Sequence, residues 1–232
     1  MKKTEFLGIA RKKGSATIAN LVFLLLKNNG FKVGLINDSL IKVNERVVKK
    51  GRIDYGDIEK ILVDEEDLDY MILDNLEIKE LYELVKIHTI EAVIDDSMIE
   101  DENSIERKKL LFDNLKKNGI SIINSDDKVL SNYFDCLRDK IIVTYGFNAK
   151  STITSSSLDI NEDVALNCCI QRGITTSRGN EIEQMEFPIK IRYYDDFNIS
   201  YFLAAIALAL IYEIPVANIQ ETIYKLGEND LL

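Results

Sequence analysis

The sequence predicts an α/β protein. The expected architecture is a mostly parallel, doubly wound sheet with a phosphate-loop-like first turn, a small antiparallel β extension and two C-terminal helices. Three observations predict it. Between residues 5 and 144, six short apolar runs alternate with segments of helical period, the pattern of parallel strands joined by crossover helices. The first run passes into a helix through a loop spanned by Gly8 and Gly14. From about residue 150 the alternation stops, and three strand-like runs follow one another without a helix.

In chain order, residues 5–10 form a strand, 11–17 a loop, and an apolar periodic run follows to Gly30, where a helix C-cap glycine belongs. Residues 32–36 are a second strand, so the unit is strand–helix–strand and right-handed. The alternation over 40–48 indicates a hairpin or strand pair, and 55–62 a short helix. Residues 64–69 are an acidic loop, expected to be solvated rather than to hold a cation. Then come a strand (70–73), a helix (79–86) and a strand (92–94). A helix over 104–118 places Leu110, Leu111 and Leu115 on one face and ends at Gly119. A strand (120–123), a short helix (127–136) and a strand (140–144) complete the alternation. Residues 151–158, 164–170 and 187–192 are the three late strands, 175–180 is a polar loop, and Tyr193 and Tyr194 mark an edge-strand end. Helices over 199–211 and 216–226, joined through Pro215, close the chain. With no repeat, low-complexity stretch or linker, residues 1–232 read as one domain.

Composition excludes several classes. At 232 residues and 46% apolar with two prolines, the chain can build a sizeable core and is not disordered. No apolar run reaches the roughly 18 residues of a membrane span, and the N-terminus has no apolar h-region of a secretory signal. A net charge of −10 argues against nucleic acid as a partner, because phosphate binding needs a basic face. Cys136, Cys168 and Cys169 are odd in number, and two are adjacent. They read as buried thiols in a reducing compartment, hence a cytoplasmic protein. The single histidine, His88, speaks against a histidine-rich metal site and reads as a helix-end or surface residue.

The first loop is where chemistry is expected. A phosphate loop turns backbone N–H groups and a helix N-terminus toward phosphate, with a lysine on the β/γ oxygens. Here Ser15 stands at the lysine position, so the loop taken alone is a weak phosphate motif. The whole chain, however, resembles the ATP-binding central domain of the Mur ligases, which join amino acids to peptidoglycan precursors. It is most similar to the UDP-N-acetylmuramyl-peptide synthetase type, with folylpolyglutamate and cyanophycin synthetases as more distant relatives. Against the family loop G-I-T-G-T-x-G-K-T-T, residues Gly8, Ile9, Gly14 and Thr17 match, while Ala10, Arg11, Lys12, Ser15 and Ala16 depart. In family order follow K-x-L-L-F at Lys108–Phe112, V-x-N-x-D-D at Ile122–Asp127, v-x-T-Y-G at Ile142–Gly146 and F-N-x-x-N-x-L-A-A at Phe197–Ala205.

The departures concentrate at phosphate and metal. The loop lysine is absent, Arg11 replaces a glycine, and the family's metal-side Glu-Ser-Ser falls near Leu73, Asp74 and Asn75. A following T-N-x-x-x-D-H has become Asp95 and Asp96 with no histidine, and Tyr201 replaces the adenine-side asparagine. The resemblance implies Gly8, Arg11, Lys12, Lys13, Gly14, Ser15, Ala16, Thr17, Asn124, Asp126, Asp127, Asn198 and Tyr201 as nucleotide- or phosphate-binding candidates. It implies Lys108, carbamylated in several members, and Asp74 as catalytic candidates. No metal ligand is assigned. Local chemistry offers other roles. Lys108 is also an exposed lysine on a charged helix, Asp126 and Asp127 cap the following helix, and Asn198 caps the helix after it.

The implied cofactors are ATP and Mg2+, weakened or lost. The chain corresponds to the central domain alone, without the family's N-terminal UDP-sugar domain and C-terminal closing domain. If active, it is an ATP-dependent amide-bond ligase. The pattern of losses favours instead an inactive domain with a binding or regulatory role linked to cell-wall peptide synthesis, with a protein partner or a second copy, and with neither nucleic acid nor membrane. Two alternatives stay open: a nucleotide-binding protein or weak ATPase served by separate partner domains, and a binder of another anion in the same crevice.

Overall fold

The computed structural model describes residues 3–11, 17–96, 102–127, 137–160, 163–192 and 198–227. Lys12, Lys13, Gly14, Ser15 and Ala16 of the first loop, nearly all of the helix expected over 127–136 with Cys136, and Tyr193 and Tyr194 lie outside the described residues. The first half runs β1 (Glu5–Ala10), α1 (Thr17–Lys27), β2 (Val33–Ile36), β3 (Leu40–Val43), β4 (Arg46–Lys50), α2 (Tyr55–Asp64), β5 (Tyr70–Asp74), α3 (Ile78–Val85) and β6 (Ile90–Asp95). The second half runs α4 (Glu102–Asp113), β7 (Leu115–Asn124), β8 (Ile141–Tyr145), β9 (Ile153–Ile160), β10 (Asp163–Ile170), β11 (Ile174–Thr175), β12 (Glu181–Ile182), β13 (Met185–Arg192), α5 (Ile199–Ile211) and α6 (Val216–Tyr224).

The predicted α/β class holds. Eleven strands form one sheet in the order β13-β10-β9-β8-β7-β6-β1-β5-β2-β3-β4, and β11 and β12 pair separately. Pairing is parallel from β2 across to β9. It is antiparallel at both edges, in the β2–β3–β4 run and the β9–β10–β13 run. The antiparallel extension is thus a continuation of the main sheet, not a separate layer. β1 lies between β5 and β6, so its C-terminal end faces the ends of both.

Helices cover both faces. α1, α5 and α6 pack on one side with Leu7 and Ile9 of β1, while α2, α3 and α4 pack on the other with Phe6 and Ala10. Alternate residues of one strand therefore enter different cores, which is why the strands read as unbroken apolar runs. α5 touches α1, α6 and the strands β7 to β9, and its buried residues run nearly without interruption from Ser200 to Ile211. Helix ends follow local chemistry. Asp54 caps α2 in a capping box with Asp57, and Gly30, at φ +86°, ends α1 in the left-handed conformation expected of it.

Packing gives Gly8 a role and corrects two expectations. Gly8 lies inside β1, within the strand expected over residues 5–10, opposite Leu73 and Val93. A Cβ there would sit 2.7 Å from Leu111 of α4, so its bare backbone lets that helix lie close. The helix expected over 104–118 ends at Asp113, because Asn114 O accepts from Ile90 N and draws the chain into β7. The register then jumps from Ile90↔Leu115 to Ala92↔Ile120. Asn118 at φ 57° and Gly119, where a Cβ would meet Lys116 O at 2.7 Å, form this irregularity instead of a helix cap. The acidic loop is only partly solvated: Leu68 is buried, and Glu65 is 8% exposed, held by Arg46 and by Lys32 at 2.7 Å.

Burial decides the remaining single residues. His88 stacks on Phe6 at 4.6 Å between ring centres, and burial lowers its pKa. Cys168 and Cys169 are free thiols, and burial pushes Cys168 up to about 12. Among the described residues no helix is long and apolar enough to cross a membrane. The packing of Leu111 over Gly8 makes a prediction. Gly8→Val should cost about 1–3 kcal/mol through overpacking, with partial recovery when Leu111→Ala is added, as read by urea unfolding.

Candidate functional site at the strand ends

All the parallel strands end on one side, so the topology alone gathers their C-terminal residues there. β1 ends in Ala10 and Arg11, β5 in Asp74, β6 in Asp95 and Asp96, β7 in Asn124 and β8 in Tyr145. Ile9 is level with Asp74, Ala10 with Asp95, and Asn124 with Tyr145. In such sheets the crevice beyond the strand ends is where ligands bind.

The described residues fill this crevice with their own ion pairs. Arg11 donates from Nε to Asp74 Oδ1 at 2.5 Å and from Nη2 to Asp74 Oδ2 at 2.8 Å. The side chains are 7% and 1% exposed, so both carboxylate oxygens are engaged in a bidentate pair nearly free of water. Burial pushes the Asp74 carboxyl up, against the pull of the guanidinium. On the other flank of β1, Lys108 Nζ lies 2.5 Å from Asp95 Oδ2, with side chains 5% and 6% exposed. Lys108 is therefore not the exposed helix lysine of the alternative reading. It stands one turn before Leu111 and shares that residue's inward face over β1.

A second cluster joins two sequence motifs. Tyr145, fully buried, donates to Asp96 Oδ1 at 2.6 Å, and Asn124 Nδ2 donates to the same oxygen at 2.8 Å. Burial pushes Asp96 up, while these two donors pull it down. Asn124 Oδ1 accepts from Asp126 N at 3.0 Å. The helix that Asp126 was expected to cap lies outside the described residues. The Asp126 carboxylate accepts from Phe147 N at 2.7 Å and Asn148 N at 2.8 Å, bracketing the turn after β8. Gly146 makes room for that contact: it has φ +138°, and a Cβ would lie 2.6 Å from Asp126 Oδ2.

The other candidates are placed as follows. Asn198 caps α5, its Oδ1 accepting from Ser200 N at 2.9 Å, as local chemistry predicted. Tyr201, half-buried, packs on the core within the first turn of α5. Thr17 opens α1, half-buried, and Asp127 N donates to Asn124 O at 3.4 Å. Gly8 lies within β1, apart from the loop. The structure thus brings Arg11, Asp74, Lys108, Asn124 and Asp126 to the C-terminal ends of the parallel strands, and adds Asp95, Asp96 and Tyr145, which lie in or beside the quoted motifs but were not among the site candidates. Their signal was present: an acidic or aromatic residue closing each apolar strand.

Among the described residues no group of three or more His, Cys, Asp or Glu side chains is arranged to hold a metal ion. In this arrangement Asp74 does not fit a divalent ion, because both its oxygens accept from Arg11, and Asp95 Oδ2 is held by Lys108.

The family model of the Mur ligase middle domain matches residues 96–209. The chain is a homologue of the Mur ligases. It is 25% identical over 246 residues to UDP-N-acetylmuramoyl-L-alanyl-D-glutamate--2,6-diaminopimelate ligase 1 of Clostridium acetobutylicum, covering 97% of this chain and 46% of that one. A solved UDP-N-acetylmuramoyl-L-alanyl-D-glutamate--2,6-diaminopimelate ligase superposes with a TM-score of 0.75 at 16% identity, over 97% of this chain and 47% of the other. Folylpolyglutamate synthetase from Lactobacillus casei superposes at 0.60 and 11% identity, over 97% and 63%. These likenesses place the fold of this Mur-ligase homologue. The chain spans about half the length of the Clostridium and diaminopimelate ligase relatives. The matched segment includes Lys108, Asn124, Asp126, Tyr145 and Asn198, whereas Arg11 and Asp74 precede it.

Two expected outcomes test this geometry. Arg11→Ala strands a buried carboxylate and should cost about 3–5 kcal/mol, whereas Arg11→Met with Asp74→Leu should cost far less; urea unfolding measures both. Gly146→Ala puts a side chain into a glycine-only conformation and against Asp126, and should cost about 1–3 kcal/mol, seen as a lowered Tm.

Proposed function

We propose that this chain is a Mur-ligase-like domain that works by binding, in a setting linked to cell-wall peptide synthesis, and does not itself run an ATP-dependent amide ligation. The observation that carries this reading is the buried bidentate pair of Arg11 and Asp74. The resemblance puts a glycine at the first position and a metal-side acid beside the second. A glycine lets backbone approach phosphate, and a free acid can hold a magnesium ion. Here the arginine spends the acid on an internal contact. Freeing Asp74 for another ligand would leave a charge in a water-poor site, at a cost of several kcal/mol. The substitution of the loop lysine by Ser15 adds to this, since that contact to the β/γ-phosphates is charge-assisted.

The binding role goes with a cytoplasmic protein whose partner is another protein or a second copy of the chain. The three thiols and the charge of −10 support that setting. The test is calorimetric titration of Mg-ATP and Mg-ADP into wild type and Ser15→Lys, with phosphate release followed in parallel. The expected result is neither saturable heat nor ATP-dependent phosphate release from wild type. Micromolar wild-type binding would overturn the reading in favour of a nucleotide-binding protein served by separate partner domains.

A further inference from the structure

We infer that Arg11 and Lys108 are built-in counter-ions that take over the place of a divalent cation at the ends of β5 and β6, so that this crevice holds and recognises its ligand without metal. The inference rests on the proposed non-ligating reading and deepens it: a ligand of this site is one that needs no bound Mg2+ to neutralise it.

Three features carry it. First, the charges match one to one. Asp74 and Asp95 end the two strands that flank β1, and each meets one buried cation. A carboxylate removed from water needs a compensating charge, and hard divalent cations are the usual alternative, taking oxygen ligands at about 2.0–2.6 Å. Here each of the two carboxylates already has a buried cation beside it. A divalent ion added to either pair would face a guanidinium or ammonium at contact distance and leave the site positively charged.

Second, both cations are placed by the scaffold. Arg11 follows directly on the last residue of the central strand. Lys108 is carried by α4, whose Leu111 is seated over the bare backbone of Gly8. Neither is a long surface side chain that swings away at little cost.

Third, the Lys108 pair needs the unmodified, cationic lysine. A carbamate is an anion, and at this position it would confront the Asp95 carboxylate with like charge instead of the 2.5 Å ion pair that is present. The neighbouring acid, Asp96, is likewise committed, to Tyr145 and Asn124.

The test is binding of free Mn2+, followed by the loss of its aqueous paramagnetic resonance signal, with thermal unfolding as a second readout. Wild type should bind no Mn2+ at millimolar concentration, and its Tm should not move with Mn2+. Arg11→Gln and, separately, Lys108→Gln should each gain a Mn2+ site at least tenfold tighter than any in wild type, with a Tm that now rises with the ion. Adding Asp74→Asn to Arg11→Gln should abolish the gain. Sub-millimolar Mn2+ binding by wild type would overturn the inference. So would folded Arg11→Gln and Lys108→Gln proteins that gain nothing. No nucleotide is present, so the result separates from the titration above. A wild type that binds nucleotide but no Mn2+ refutes the non-ligating reading and leaves the counter-ions standing.

Discussion

The ends of β5, β1 and β6 are held together by charge. Asp74 and Asp95 flank the central strand at its C-terminal end, and each is buried against a cation supplied from that strand or from the helix lying over it. Buried carboxylates at strand ends constrain everything near them, because neither can be left unpaired. Arg11 must turn back toward β5 as soon as it leaves β1. α4 must lie where Lys108 reaches Asp95, which requires the close approach over Gly8. One electrostatic requirement thus dictates both the direction of the chain at the mouth of the first loop and the seating of a helix.

The second cluster shows what the family-like motifs do in this chain. Asn124 and Asp126 come from the segment ending β7, and Tyr145 and Gly146 from the end of β8. In space they form one hydrogen-bonded unit with Asp96: two donors on one carboxylate oxygen, and a second carboxylate clamping the turn that follows. Their side chains serve the scaffold directly. Asn198 also has a structural contact of its own, its acceptor closing the first turn of α5.

Homology and local chemistry agree on the fold. The match to the Mur ligase middle domain covers the segment that carries the Asn124–Asp126–Tyr145 unit, whereas Arg11 and Asp74 precede it. A sheet of this kind can keep its topology while the groups at its edge change, because the topology is set by apolar strands and crossover helices, and the edge residues only by one another.

Much of this was legible in the chain itself. Alternating apolar runs determined the parallel sheet, Gly30 the end of α1, Asn198 the start of α5, and the loss of alternation after residue 150 the antiparallel extension. These are local signals: period, caps and turn residues act over a few neighbours, so one sequence suffices. What could not be read was decided between distant segments. Nothing near Gly8 in the chain shows that Leu111 lies against it. Leu115 continued a helical stripe until Ile90 claimed its neighbour Asn114 for the sheet. Lys108 looked exposed among charged neighbours until α4 turned it onto Asp95. Nothing near Asp126 in the chain shows that the turn after β8 supplies donors to its carboxylate. The sequence by itself determined which elements form and in what order. Only the tertiary structure decided which charge meets which, because ion pairs and close backbone contacts depend on residues some 13 to 100 positions apart being brought within a few ångströms by the packing of the sheet.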